Sequence, residues 1–351
     1  MRHFPGRPGT IGKIGEASSM IQKVKYFMRS KARSLVQHGL SHVFPLEGRR
    51  TSVTVLMYHE VLEDEQNVDA WTIVRASEFA KQMEYLKSHY DVISFDEARD
   101  LIENGDRIKE KYAVVTFDDG YAGNHRVVLP VMAALNLPFT VFCATEAIEQ
   151  GELYWWDRVI HLALVSGKRV TLTDMLPGTY DFGTRVRGAS RWNEIQRLLT
   201  DMKSMGQQRR EQIVRVIARQ TDESKHSEPL RLMTPQQVRE LASAALVTIG
   251  AHSHTHDILT QLAPGEAGNS ILRSKEILEA WTGKRVDYFS YPNGDYSPAL
   301  MRSVACAGFT AAVCTEERAW TRTDNNYAIP RIGVGRFDSL SIFKAKVTCA
   351  N

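Results

Sequence analysis

Short apolar runs and helical stretches alternate along most of this chain. Val53 to Tyr58 is continuous, rich in β-branched residues and ends at His59 and Glu60, which predicts a buried strand. Ala76 to His89 places Phe79, Met83 and Leu86 on one face of a helix. Ala113 to Phe117 predicts a second buried strand, which runs directly into Asp118, Asp119 and Gly120. A helix is expected over about residues 126–136, followed by a strand from Phe139 to Cys143. Further strands are expected at Leu246–Gly250, Val286–Tyr291 and Thr310–Thr315, the last after a helix. Strands alternating with helices predict a parallel sheet, either open or closed into a barrel. No internal repeat is visible.

Three stretches stand outside that rhythm. Residues 151–235 are too many for one connection and predict an insertion. It opens on LYWWDRVIHLAL and contains a polar helix around Arg191 to Arg219, with Ile195, Leu198, Leu199 and Met202 along one side. It closes on an exposed linker, TDESKHSEPL. Trp155, Trp156 and Asp157 read as a sugar-stacking wall, or the paired tryptophans as pins holding this insertion to the body. At the front, Gly, Pro and Ser fill residues 1–20, and a basic amphipathic helix follows over Ser19 to Phe44. Its apolar positions are Ile21, Val24, Phe27 and Met28. The expected organisation is therefore an extension over 1–50, a barrel over 51–340 interrupted at 151–235, and a tail over 341–351.

Composition narrows the class. Of 351 residues, 43% are hydrophobic and 24% charged, which excludes wholesale disorder. The longest mild apolar candidate, Leu241 to Ala251, is too short to cross a bilayer. The net charge of +3 is uneven. Residues 1–50 hold 10 Lys and Arg against 2 Asp and Glu, a net of +8, which leaves −5 on residues 51–351. A mildly acidic body argues against nucleic acid as a partner. The basic segment 20–44 suits an anionic membrane surface, although a helix docked on the body with a solvated basic face reads the same way. The start has no apolar core of a secretory signal, and the four cysteines show no pairing pattern. The expected location is cytoplasmic, peripheral at the inner membrane face.

Four polar clusters fall at the C-terminal ends of predicted strands: His59; Asp118 and Asp119; His252 to His256; and Tyr291 to Gly294. That rim is where parallel α/β folds place active sites. His252 and His256, four apart, can aim both imidazoles at one point, and with a carboxylate they make a ligand set for a divalent metal of the zinc type. Adjacent strand residues point to opposite sides, so Asp118 and Asp119 suit a division of labour, one on the metal and one handling a proton. They do not suit a glycosidase pair facing each other across a substrate. Gly120 allows the turn that presents them. The pieces fit hydrolysis of an amide or ester, and the residue types leave phosphoester hydrolysis open.

TFDDG at 116–120, followed by HSHTH in H-[ST]-x-x-H spacing, resembles the polysaccharide deacetylase family, and YPNG resembles that family's third motif. The resemblance covers roughly residues 52–335 and implies a distorted (β/α) barrel of the NodB homology type. It implies a metal-dependent hydrolase that removes acetyl from an N-acetylated saccharide, with Zn2+ as the expected metal. Asp118 would be the general base, and Asp119, His252 and His256 the ligands. Ser253 would support the histidine loop, and Tyr291 would help form the oxyanion site, through its backbone N–H.

The chain departs from the family pattern in two places. The strand before Tyr291 reads VDYFSYPNG and lacks the Arg that orients the base, so Arg331 in IPRIGVGR is the expected substitute. The late Leu-x-His motif is missing, since no His follows His256. VLMYHEV resembles the branch acting on poly-N-acetylglucosamine, which makes His59 the expected acid. Two rival functions stay open: an amidohydrolase on a non-carbohydrate C–N bond, and a silent, metal-containing glycan-binding protein.

Overall fold

The computed structural model describes residues 52–349, apart from 67, 69, 105–110, 167–168, 173–174, 177–178, 184–188 and 222–229. The basic helix expected within residues 1–50 lies outside them.

The predicted strands form, within a residue or two, as Ser52–Tyr58, Tyr112–Phe117, Phe139–Cys143, Val247–Ala251, Tyr288–Ser290 and Ala311–Val313. They pair in parallel in the order 311, 288, 247, 139, 112, 52. A short segment near residue 330, absent from the expected strands, joins the two ends of this sheet. Ile329 bridges Val313 on one side, while Ile332 pairs with Leu56 on the other. The N–H of Cys314 donates to the Ile329 carbonyl at 2.8 Å, and that of Val334 to the Met57 carbonyl at 2.9 Å. The architecture is the expected distorted barrel, closed by this irregular segment.

Side chains alternate across a strand, so two-residue steps select those facing inward. Val53, Val55, Val114, Phe142, Tyr288 and Trp320 share one buried cluster. A larger cluster, including Leu56, Tyr58, Val115, Phe117 and Val141, packs the outer helices against the sheet. Continuing the inward steps leads to His59 on the first strand, Asp118 on the second, His252 after the fourth and Ser290 on the fifth. Gly250 belongs to this packing, because a Cβ there would lie 2.4 Å from the Phe142 ring.

The insertion has its own core, in which Ile195, Leu198, Met202, Ile213 and Ile217 are all fully buried. Its expected long helix is two, Ala189–Lys203 and Gln207–Gln220. They break at Gly206, whose extended backbone caps the second, so the two pack back to back around one core. A small antiparallel pair, Arg169–Thr171 with Thr179–Asp181, adds strand to what reads from sequence as helical. The expected C-terminal tail is largely a helix, Leu340–Cys349, with Phe343 and Val347 buried. Its period-three-and-four apolar positions dock there, and the Tyr90 hydroxyl donates to the Val347 carbonyl at 2.9 Å.

Candidate active site

At the top of the inward-facing rows, Asp118 meets Arg331. Arg331 Nη1 donates to Asp118 Oδ1 and Nη2 to Oδ2, both at 2.7 Å, with Arg331 fully buried. The remaining guanidinium donors go to the Cys314 carbonyl at 3.1 Å, Thr116 Oγ1 at 3.1 Å and Ser290 Oγ at 3.0 Å. The Ser290 hydroxyl donates in turn to Asp118 Oδ2 at 3.2 Å. A planar fork on a planar carboxylate fixes orientation as well as charge. Burial pushes the Asp118 carboxyl up, but the charges of Arg331 and His252 outweigh it and hold the acid below its ordinary range. Arg331 thus stands where the sequence lacks an arginine before Tyr291, reached through the barrel-closing segment.

Asp119 turns the other way. Its φ of 75°, followed by 77° at Gly120, takes the chain off the strand, so strand alternation does not govern the pair. A Cβ at residue 120 would lie 2.9 Å from Ile148 Cδ1, in a conformation that suits glycine. Asp119 Oδ1 lies 3.0 Å from His256 Nε2 and 3.3 Å from His252 Nε2. The two histidines sit on a loop, not a helical turn, with Ser253 and His256 at φ of 64° and 56°. Ser253 Oγ accepts from the His256 N–H at 3.1 Å and so braces that loop. His254 points away, its Nδ1 2.8 Å from Thr145 Oγ1.

The donor chemistry of this trio can be tested for fit to a metal. His252 Nδ1 lies 2.7 Å from the Ser290 carbonyl, which can only accept, so Nδ1 carries the proton. Nε2 then faces the carboxylate Oδ1, so a cation, either a proton or a metal ion, belongs between them. One ligand atom from each of Asp119, His252 and His256 lies within 4.8 Å of the others, and one imidazole is oriented from behind by a carbonyl. The residues present fit a divalent metal.

His59 lines the same cavity, with its ring 5.5 Å from that of Trp71 and its Nδ1 buried without a protein partner. Burial lowers its pKa, against the opposing pull of Asp119 and Asp118. Tyr291 also borders the cavity, but its N–H is given to the Val313 carbonyl at 3.3 Å and its hydroxyl to the Tyr327 carbonyl at 3.0 Å.

Two contributors were not foreseen in the sequence. Ser290 links both halves of the site, carbonyl to His252 and hydroxyl to Asp118. Its signal was its inward position two residues after Tyr288. Tyr154, at the start of the insertion, donates its hydroxyl to the Asp119 carbonyl at 2.7 Å. Its ring stacks on Trp156 at 4.4 Å, and both rings border His256, at 5.0 and 4.8 Å. Trp156 Nε1 donates to the Tyr121 hydroxyl at 3.2 Å, so Trp156 pins the insertion to the barrel while still lining the cavity.

A family model described as polysaccharide deacetylase matches residues 105–312. The match includes the Asp118–Asp119 pair and both histidines, and excludes His59 and Arg331. The Bacillus subtilis protein YxkH is 21% identical over 294 residues, 84% of this chain and 75% of that protein. Poly-beta-1,6-N-acetyl-D-glucosamine N-deacetylase of Escherichia coli K12 is 32% identical over 84 residues, 24% of this chain and 12% of that enzyme. Among solved structures, the Streptococcus pyogenes deacetylase PplD in complex with acetate superposes with a TM-score of 0.56 at 16% identity, covering 85% of this chain and 99% of that one. IcaB from Ammonifex degensii gives 0.54 at 18%, covering 84% and 97%. At such identities the structural likeness speaks for the fold.

Proposed function

The chain belongs to the polysaccharide deacetylase family, and we propose that it is a metal-dependent N-deacetylase acting on an amino-sugar-containing glycan or glycolipid. One observation carries the reading: consecutive residues, Asp118 and Asp119, divide between a guanidinium clamp and a two-histidine ligand set. A divalent metal held by Asp119, His252 and His256, Zn2+ by the chemistry of these donors, would act as the Lewis acid that polarises the acetamide carbonyl and acidifies water.

The protein's own groups supply the proton traffic. Asp118, kept ionised and fixed in plane by Arg331, takes a proton from the attacking water as its oxygen bonds to the carbonyl carbon. Protonated His59 gives its proton to the nitrogen as the C–N bond breaks, releasing acetate and the free amine. Asp119 and Asp118 favour the charged imidazole this step needs, against the burial that disfavours it. Ser290 keeps both halves in register. Support comes from the burial of Asp118, Arg331 and Ser290, with His59 half-buried beside them, which strengthens charge interactions inside the cavity. A panel of N-acetylated sugars, small non-carbohydrate amides and phosphoesters tests the class. Turnover confined to the sugars is expected, and turnover confined to the other two would replace the reading.

The basic segment 20–44 is proposed to hold the protein at the inner face of an anionic membrane. Deleting residues 1–45 should abolish sedimentation with anionic vesicles, and unchanged sedimentation would refute the proposal.

A further inference from the structure

The catalytic groups occupy only one side of a cavity of about 360 Å3. The insertion supplies much of the rest. Helix Ala189–Lys203 turns Trp192, Gln196, Leu199 and Thr200 into it as a single stripe at helical spacing, with Ile195 and, from helix Trp155–Ser166, Ile160 buried behind that wall. Across the mouth stand Trp71, 52% exposed, and Phe337, 77% exposed.

An extended saccharide fits this lobe less well than hydrocarbon does. Gln196 and Thr200 can meet sugar hydroxyls and Trp rings stack on sugar faces, but Leu199, Ile258 and Phe337 offer nothing to a hydroxyl, and an unpaired buried hydroxyl is costly. Hydrocarbon leaves no such debt. The stripe ends in Lys203, which also borders the cavity. A row from Trp192 to Lys203 is about 16 Å long at the helical rise, room for a chain of ten or more carbons.

We propose that this lobe binds the hydrocarbon portion of a glycolipid, so that the substrate is an N-acetylated amino sugar carrying an apolar aglycone. The proposal rests on the deacetylase reading for the sugar end alone. The lobe itself is tested by binding.

Methyl, hexyl, octyl and decyl β-glycosides of N-acetylglucosamine, each below its micellar concentration, are titrated against the full-length protein, with the N-acetylglucosamine tetramer alongside. Tryptophan fluorescence and calorimetry report binding, and acetate release is followed in parallel. Affinity should rise with chain length, by up to about fourfold per methylene where burial is complete. Leu199→Asn and Trp192→Gln should each flatten that slope, shown folded by an unchanged far-ultraviolet spectrum. Affinity indifferent to chain length, or a tetramer that binds more tightly than the octyl glycoside, overturns the proposal. If affinity climbs with chain length and no glycoside releases acetate, the lobe stands and the deacetylase reading fails. If acetate is released without any dependence on chain length, the deacetylase reading stands and the lobe fails.

Discussion

Arg331 closes on both oxygens of Asp118 at 2.7 Å each, although the two lie 213 positions apart in sequence. The contact exists because an irregular segment near residue 330 seals the barrel and delivers its arginine to the interior. The orientation of Asp118 and the network joining it to Thr116 and Ser290 therefore depend on one topological feature, barrel closure.

Removing the clamp leaves Asp118 buried and uncompensated. Arg331→Met should lower the unfolding free energy by about 3–5 kcal/mol and turnover by at least about 100-fold. Denaturant melts and acetate release measure both. Arg331→Lys should recover less than a tenth of wild-type turnover, since an ammonium cannot bond the carboxylate bidentately.

Metal binding and proton transfer should separate by mutation. Asp119→Asn and His252→Ala are expected to lose bound metal, whereas His59→Ala retains about one ion per chain and loses about 100-fold or more in turnover. Elemental analysis beside the activity assay makes the distinction. Normal turnover in His59→Ala would remove it from the mechanism.

The insertion also grips the histidine loop. Arg210, on helix Gln207–Gln220, pairs with Asp257 at 3.0 Å, next to His256, with both side chains largely buried. Arg210→Met should cost about 3 kcal/mol of stability and weaken metal affinity about tenfold. Arg210→Met combined with Asp257→Leu should restore most of the stability, because neither charge is then left alone.

Glu60 gives a prediction in pH. It is 1% exposed, and burial raises its carboxyl well above the ordinary 4.5, outweighing the N–H groups of Val61 and Gly123. The native state therefore holds a proton that the unfolded chain releases from about that pH upward. Its contribution to stability is complete below the unfolded pKa and is lost as pH rises through the folded one. In the difference between wild type and Glu60→Gln, wild type should lose about 1.4 kcal/mol per pH unit across that window. Melts from pH 4 to 8 read the slope, and a flat difference contradicts the assignment.

What the sequence disclosed follows from the range of its signals. Strand runs such as Val53–Tyr58 and their polar ends are local, which was enough to place His59 and Asp118 together on the rim; which of them faces inward emerged only from the folded sheet. The clustering of Asp119, His252 and His256 was legible because their chemistry is distinctive, although the positive φ of Asp119, Ser253 and His256 was not. The closing segment was hidden, because its few strand residues pair only after the whole sheet has curled. The apolar spacing of Leu340, Phe343 and Val347 was present in the sequence, yet reads as a tail until Tyr90 and the rest of the body are placed beside it. Ser290 went unread because a single serine in a strand looks like any other.

The most direct test of the central claim is acetate release from an N-acetylglucosamine glycoside by metal-reconstituted protein, with Asp118→Asn measured in parallel and metal counted in both. Acetate from the wild type, at least about 100-fold less from the variant, and equal metal in the two is the predicted result. Equal acetate from both, or none from a wild type carrying one metal per chain, would contradict the account.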